Sequence, residues 1–111
     1  MKKLAIILNN NYVFLNPQEI IFLTRKERKT VIYSLGGTTY AINESLEKFA
    51  QRLNNATFFR SHKSFVINVK MVTEFNPWGN KTLLVKLMNT EETALITIEK
   101  AKEFCLKYCI E

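Results

Sequence analysis

Eleven consecutive residues, Phe58-Phe59-Arg60-Ser61-His62-Lys63-Ser64-Phe65-Val66-Ile67-Asn68, join a donor-rich polar run to an apolar one. Arg60 to Ser64 brings a guanidinium, an imidazole, an ammonium and two hydroxyls within five residues, with no carboxylate among them. All of these groups can donate hydrogen bonds. Such a surface suits phosphate oxygens and the acceptor atoms of base edges. The apolar half, Phe65-Val66-Ile67, can anchor the segment in a core. A donor-rich loop rigidly attached to a strand is what recognition of a nucleic-acid groove requires.

Upstream, the pattern is that of short strands separated by turn residues. Met1 to Leu8 reads as a strand, or as the tail of an element from a longer parent chain, and Asn9-Asn10-Asn11 as a turn. Tyr12 to Leu15 is a short strand broken by Asn16-Pro17, and Ile20 to Thr24 is an apolar run that fits a buried strand. Arg25-Lys26-Glu27-Arg28-Lys29 is the densest basic cluster. Thr30 to Leu35 and Thr38 to Ile42 read as strands joined by a two-residue Gly36-Gly37 hairpin. Asn43 can cap a helix of about three turns, with Leu46, Phe49, Ala50 and Leu53 on one face, ended by Asn54-Asn55.

Downstream, Val69 to Phe75, Thr82 to Met88 and Thr93 to Ile98 are expected strands, with turns at Asn76-Pro77-Trp78-Gly79-Asn80 and at Asn89 to Glu92. Glu99 to Ile110 is a closing helix with Ala101, Phe104, Cys105 and Tyr108 on one face. The sum is roughly eight strands and two helices. No βαβ rhythm appears, which excludes a doubly wound parallel sheet. The fold class expected is mainly β: small antiparallel sheets packed together, with one short internal helix and a C-terminal helix.

At 111 residues the chain is expected to be a single domain, 1–111, with its core over about 12–110. Hydrophobic residues make up 47% and charged residues 23%, which suits a globular chain rather than a disordered one. The net charge of +6 favours a polyanionic partner. Cys105 and Cys109 lie four apart, so on a helix their Cβ atoms stand about 5–6 Å apart, too far for an undistorted disulfide. They read as two small buried apolar residues. His62 is the only histidine and is remote from both, so no metal or other cofactor is expected. The apolar run Leu4 to Leu8 is too short for a signal-peptide core, and no stretch suits a membrane span, so the expected location is the cytoplasm.

The segment Phe58, Arg60, His62, Lys63, Ser64, Phe65, Val66, Ile67, Asn68 resembles the signature of the LytTR DNA-binding family in residue types and spacing. The opening strand ending in Ile20-Ile21-Phe22-Leu23, the basic segment, the hairpin, the short helix and the closing strand and helix follow in that family's order. The resemblance spans about residues 12 to 110. It implies sequence-specific binding of double-stranded DNA by loops entering successive major grooves, often as pairs on direct repeats. It also implies an output domain of a bacterial response regulator, with a receiver or sensor domain in a longer parent chain and a homodimer on DNA. Carried over residue by residue, His62, Lys63 and Ser64 fall in the central contact loop, together with Arg60. Arg28 and Lys29 fall in the first basic loop, and Thr97 to Lys102, with Thr97 and Lys100 as candidates, in the third. Glu99 departs from a pattern that often places Arg or Lys there, so either Lys100 substitutes or this loop reads a different base.

Each residue also has a plain structural reading. His62 can be a satisfied structural histidine, Arg60 an ion-pair partner, and the cluster from Arg25 to Lys29 a solvated hairpin edge. Asn68 is expected to bond backbone, and Trp78 either caps the core or meets a protein. No catalytic residue is expected: adjacency of Ser61, His62 and Ser64 does not supply a triad's geometry, and no glycine-rich phosphate loop or carboxylate pair is present. The competing functions are a protein-interaction or sensory module that has lost base readout, and binding of RNA or single strands, which calls for exposed stacking aromatics.

Overall fold

The computed structural model describes residues 2–110; the expected strand start at Met1 lies outside them. Among the described residues ten strands form three antiparallel sheets. The central sheet has the order β5-β4-β3-β7-β6, built from β3 (Ile20–Lys26), β4 (Lys29–Ser34), β5 (Thr39–Ile42), β6 (Phe58–His62) and β7 (Phe65–Asn68). Ile20 to Leu23 are all buried, because β3 is covered on both faces and a doubly covered strand reads as an unbroken apolar run.

On one face, Leu23, Ile32 and Val66 pack with helix α1 (Leu46–Arg52) and with the hairpin of β1 (Leu4–Leu8) and β2 (Asn11–Leu15). On the other, Phe22, Phe59 and Ile67 pack with a sheet of β8 (Val72–Gly79), β9 (Thr82–Leu87) and β10 (Thr93–Thr97), and with helix α2 (Ile98–Tyr108). Phe22 and Leu23, Phe58 and Phe59, and Val66 and Ile67 thereby send consecutive side chains into opposite cores, while Ile21 joins the core of Phe22 at a register shift in β3. Phe22 stacks on Tyr33 at 4.3 Å between ring centroids, while Phe104 and Tyr108 meet Phe59 edge-on from α2.

The donor-rich stretch resolves into the β6–β7 hairpin, which brings the strand number to ten where eight were expected. Other expectations are corrected as well. Helix α1 is capped by Ser45, whose side chain accepts from the Lys48 amide, and it runs two turns. Asn43 stays outside because the next carbonyl, of Glu44, accepts from Thr30 Oγ1 at 2.6 Å and from the Arg25 guanidinium at 3.1 Å. The segment expected as a turn, Asn76 to Asn80, instead extends β8 as far as Gly79. Pro77 is tolerated because β8 is an edge strand, where a missing N–H costs no ladder bond, and Trp78 is left 67% exposed at a register shift. Cys109 is exposed just beyond α2, and Cys105 is half-buried, so the pair is not buried as expected.

The two-residue hairpins fall elsewhere than at Gly36-Gly37. Those glycines adopt φ of 79° and 77° within a longer connection that pairs Tyr33 with Thr39. Two of the tight turns are Asn9-Asn10, between the paired Leu8 and Asn11, and Glu27-Arg28, between the paired Lys26 and Lys29. Both residues of each turn have positive φ, the mirror-image geometry that matches strand twist.

Candidate nucleic-acid interface

The central sheet has two distinct ends. At one, the β3–β4 turn at Glu27-Arg28 lies beside the β6–β7 turn at Lys63-Ser64, and the Arg25 amide donates to the Ser64 carbonyl at 2.9 Å. Two of the expected contact regions are therefore joined through the backbone.

Within the β6–β7 turn, Arg60 donates through Nε to the His62 carbonyl at 3.0 Å and through its terminal nitrogen to the Lys63 carbonyl. It therefore closes the turn, and its partners are main-chain carbonyls rather than the carboxylate of an ion pair. The Ser64 amide donates to His62 Nδ1 at 3.1 Å. A ring nitrogen that accepts carries no proton, so the imidazole is neutral with its proton on Nε2. Burial first, then the adjacent Lys63 and Arg60 charges, lower the His62 pKa below its ordinary value of 6.5. Lys63 is exposed at the apex and His62 and Ser64 are half-buried beside it. With both turn carbonyls engaged, the surface available to a ligand consists chiefly of donors.

Ser61 departs from the donor set that its neighbours form. It is fully buried, and its hydroxyl donates to the Leu95 carbonyl at 2.8 Å. That bond ties β6 to β10 across the two sheets. Asn68 bonds backbone, as expected: its side chain donates to the Ile20 carbonyl at 2.8 Å and accepts from the Lys70 amide at 3.0 Å.

The basic cluster of the first turn divides by role. Arg25 is held by Thr30 Oγ1 and the Glu44 carbonyl. Lys26, Arg28 and Lys29 are exposed and form no ion pair with any described residue. Glu27 and Arg28 hold φ of 49° and 68°, a left-handed geometry costing non-glycine residues about 1–2 kcal/mol each.

In the third region, Thr97 is the N-cap of α2, accepting from the Lys100 amide at 3.1 Å. Glu99 is exposed in the first helical turn, where the helix dipole favours an acid. Lys100 pairs with Glu103 at 3.1 Å, and its ammonium lies 5.9 Å from the Phe59 ring centroid. It is therefore partly committed within the protein. Sequence reading missed Lys81. Its carbonyl accepts from the Ile98 amide at 3.1 Å, which places the β8–β9 turn against the start of α2, with Lys81 exposed at φ 60°. A lysine between two expected strands carried no signal until the turn moved from 76–80 to Asn80-Lys81.

Among the described residues no group of three or more His, Cys, Asp or Glu is placed to hold a metal, and no helix is long and apolar enough to cross a membrane. The molecule measures 43 × 31 × 25 Å, so its long axis exceeds one turn of duplex DNA, about 34 Å.

A β-rich domain that mounts basic turns on rigid hairpins is a scaffold for a polyanion. The family model of the LytTr DNA-binding domain matches residues 10–107, and the chain belongs to that family. The solved LytTr DNA-binding domain of a methyl-accepting/DNA response regulator from Bacillus cereus superposes with a TM-score of 0.77 at 22% identity, covering 96% of this chain and 95% of that one. The sensory transduction protein LytT of Bacillus anthracis is 30% identical over 82 residues, 74% of this chain and 33% of that protein. The transcriptional regulatory protein YpdB of Escherichia coli K12 is 25% identical over 99 residues, 88% of this chain and 40% of that protein. The chain thus spans between a third and two fifths of the length of these curated relatives.

Proposed function

We propose that this domain binds double-stranded DNA sequence-specifically, by placing turns in the major groove, and acts in the cytoplasm as a transcriptional regulator or as its output domain. The observation that carries this reading is the β6–β7 turn. Arg60 occupies its carbonyls, His62 is fixed as the neutral tautomer with Nε2–H free, and Lys63 stands exposed at the apex. A neutral imidazole N–H and an ammonium can both donate to guanine N7 and O6.

Lys26, Arg28 and Lys29 from the first turn, and Lys81 with the N-terminus of α2, neutralise phosphates and set the register. Arg60 and Thr97 serve by holding the turn and the helix start. The domain occupies repeated sites as a homodimer, joined to a receiver or sensor domain as the fraction of relatives' length suggests. The domain is expected not to be an enzyme.

A second reading, a protein-interaction module that has lost base readout, is favoured by exposed Glu99 and by the engagement of Lys100 with Glu103. Titration of duplex DNA at two salt concentrations separates the two. The first requires log K to fall with log salt at about 0.9 per neutralised phosphate and one duplex sequence to be preferred over random duplex; a module that has lost base readout shows no such preference.

A further inference from the structure

At the end of the central sheet opposite the Lys63 turn lies a cleft of about 790 Å³. Its walls come from β1, α1, the starts of β6 and the end of β7, and the short helical turns at Pro17–Glu19 and Val69–Met71. Lys2, Lys3, Arg52 and Lys70 line it, and among the described residues no aspartate or glutamate does. Leu4, Leu53, Phe58 and Met71, each largely buried, contribute to its apolar lining.

Four cations beside an apolar lining are a costly arrangement for a surface without a partner, since like charges gathered at one opening repel. Arg52 is answered by Glu44 at 2.7 Å, whereas Lys2, Lys3 and Lys70 are exposed and pair with no described carboxylate. The volume falls within the 300–1,000 Å³ of small-molecule sites, which combine an apolar lining with a few polar groups that orient the ligand. Asn68 and Asn54 do not compete for a ligand: Asn68 is engaged with Ile20 and Lys70, and Asn54 with the Ala56 amide.

We infer that this cleft binds a small amphiphilic organic anion, with an aromatic or aliphatic body on Leu53, Phe58 and Met71 and a carboxylate or phosphate at Lys3 and Lys70. This assignment does not rest on the DNA-binding reading. The ammonium groups provide charge complementarity for the head, and the buried apolar side chains exclude water from the body. The volume of about 790 Å³ suits a small molecule rather than an extended acidic peptide.

The test is titration of the ¹⁵N-labelled 111-residue chain with biphenyl-4-carboxylate, and separately with its uncharged counterpart biphenyl-4-methanol. The carboxylate is expected to bind with a sub-millimolar Kd and to shift amides of residues 52–58 and 68–71, with the alcohol at least tenfold weaker. Lys3→Glu and Lys70→Glu are each expected to weaken the carboxylate fivefold or more. Lys86→Glu makes the same charge change on β9, away from the cleft, and is expected to leave binding within twofold. Equal binding of carboxylate and alcohol, shifts scattered over the surface, or equal loss in the Lys70 and Lys86 variants would overturn the assignment. So would binding of an acidic aromatic peptide with no binding of the small carboxylate, which would make the cleft a protein-docking surface.

Discussion

Arg60 is where a nucleic-acid contact and a structural clamp predict opposite results. Its two bonds to the His62 and Lys63 carbonyls have a charged donor, a class worth about 1.5–3 kcal/mol each when sheltered. Arg60 is half-buried, so solvent screening reduces the pair to about 1–2 kcal/mol together. If the turn must stay closed to meet DNA, Arg60→Ala weakens binding by about 5–30-fold. Lysine keeps the charge but cannot span two carbonyls with a rigid fork, so Arg60→Lys should lose nearly as much. Neither variant should change the salt slope. Fluorescence anisotropy on a labelled duplex at several salt concentrations, with hydrogen exchange of the Ser64 amide, reads both effects. Full affinity in Arg60→Lys, together with a slope reduced by about 0.9 in Arg60→Ala alone, would show that Arg60 meets a phosphate and refute the clamp.

The other expectations concern stability, readout and pH. Ser61→Ala removes the donor to the Leu95 carbonyl, and urea unfolding should show a loss of about 1–3 kcal/mol; an unchanged midpoint would mean that the inter-sheet bond contributes nothing. Arg28→Gly relieves left-handed strain at φ 68°; it should stabilise by about 1 kcal/mol while lowering DNA affinity, and a parallel fall in both would refute the division of roles. Lys63→Ala should cost about 1–3 kcal/mol at a cognate site if Lys63 reads a base, and binding equal to the parent's would remove it from the interface. His62 has a lowered folded pKa, so the native state binds fewer protons than the unfolded chain. Its contribution to stability is complete above about pH 6.5 and is lost as pH falls through the folded value. The fall in urea midpoint between pH 7 and pH 5 should shrink in His62→Gln; an equal fall in both would show that His62 is not the group responsible.

Much of the fold could be read from residue pattern because its strands alternate or run apolar according to how many faces they bury. Ile20 to Leu23 was legible as a doubly covered strand, and Ala101, Phe104, Cys105 and Tyr108 as the inner face of α2. What failed was local chemistry decided by tertiary partners. Pro77 and Gly79 are turn formers in general, yet an edge position allows them in β8. Asn43 and Ser45 are both capping residues, and the choice between them was made by Thr30 and Arg25 holding the Glu44 carbonyl. Burial of Ser61 followed from the closeness of β10, which sequence does not reveal, whereas Lys63 is exposed because it lies in the turn beyond β6. The β6–β7 residues were legible as a group, but the inward role of Arg60 was not, because its acceptors are main-chain carbonyls.

The central claim is that rigid donor-bearing turns read duplex DNA. Selection of random duplexes by the purified domain, with the enriched sequences titrated at two salt concentrations, tests it most directly. The account predicts enrichment of a motif, in repeated form, whose preference over random duplex is reduced in Lys63→Ala. Salt-dependent binding with no enriched motif, or no binding at all, would contradict it.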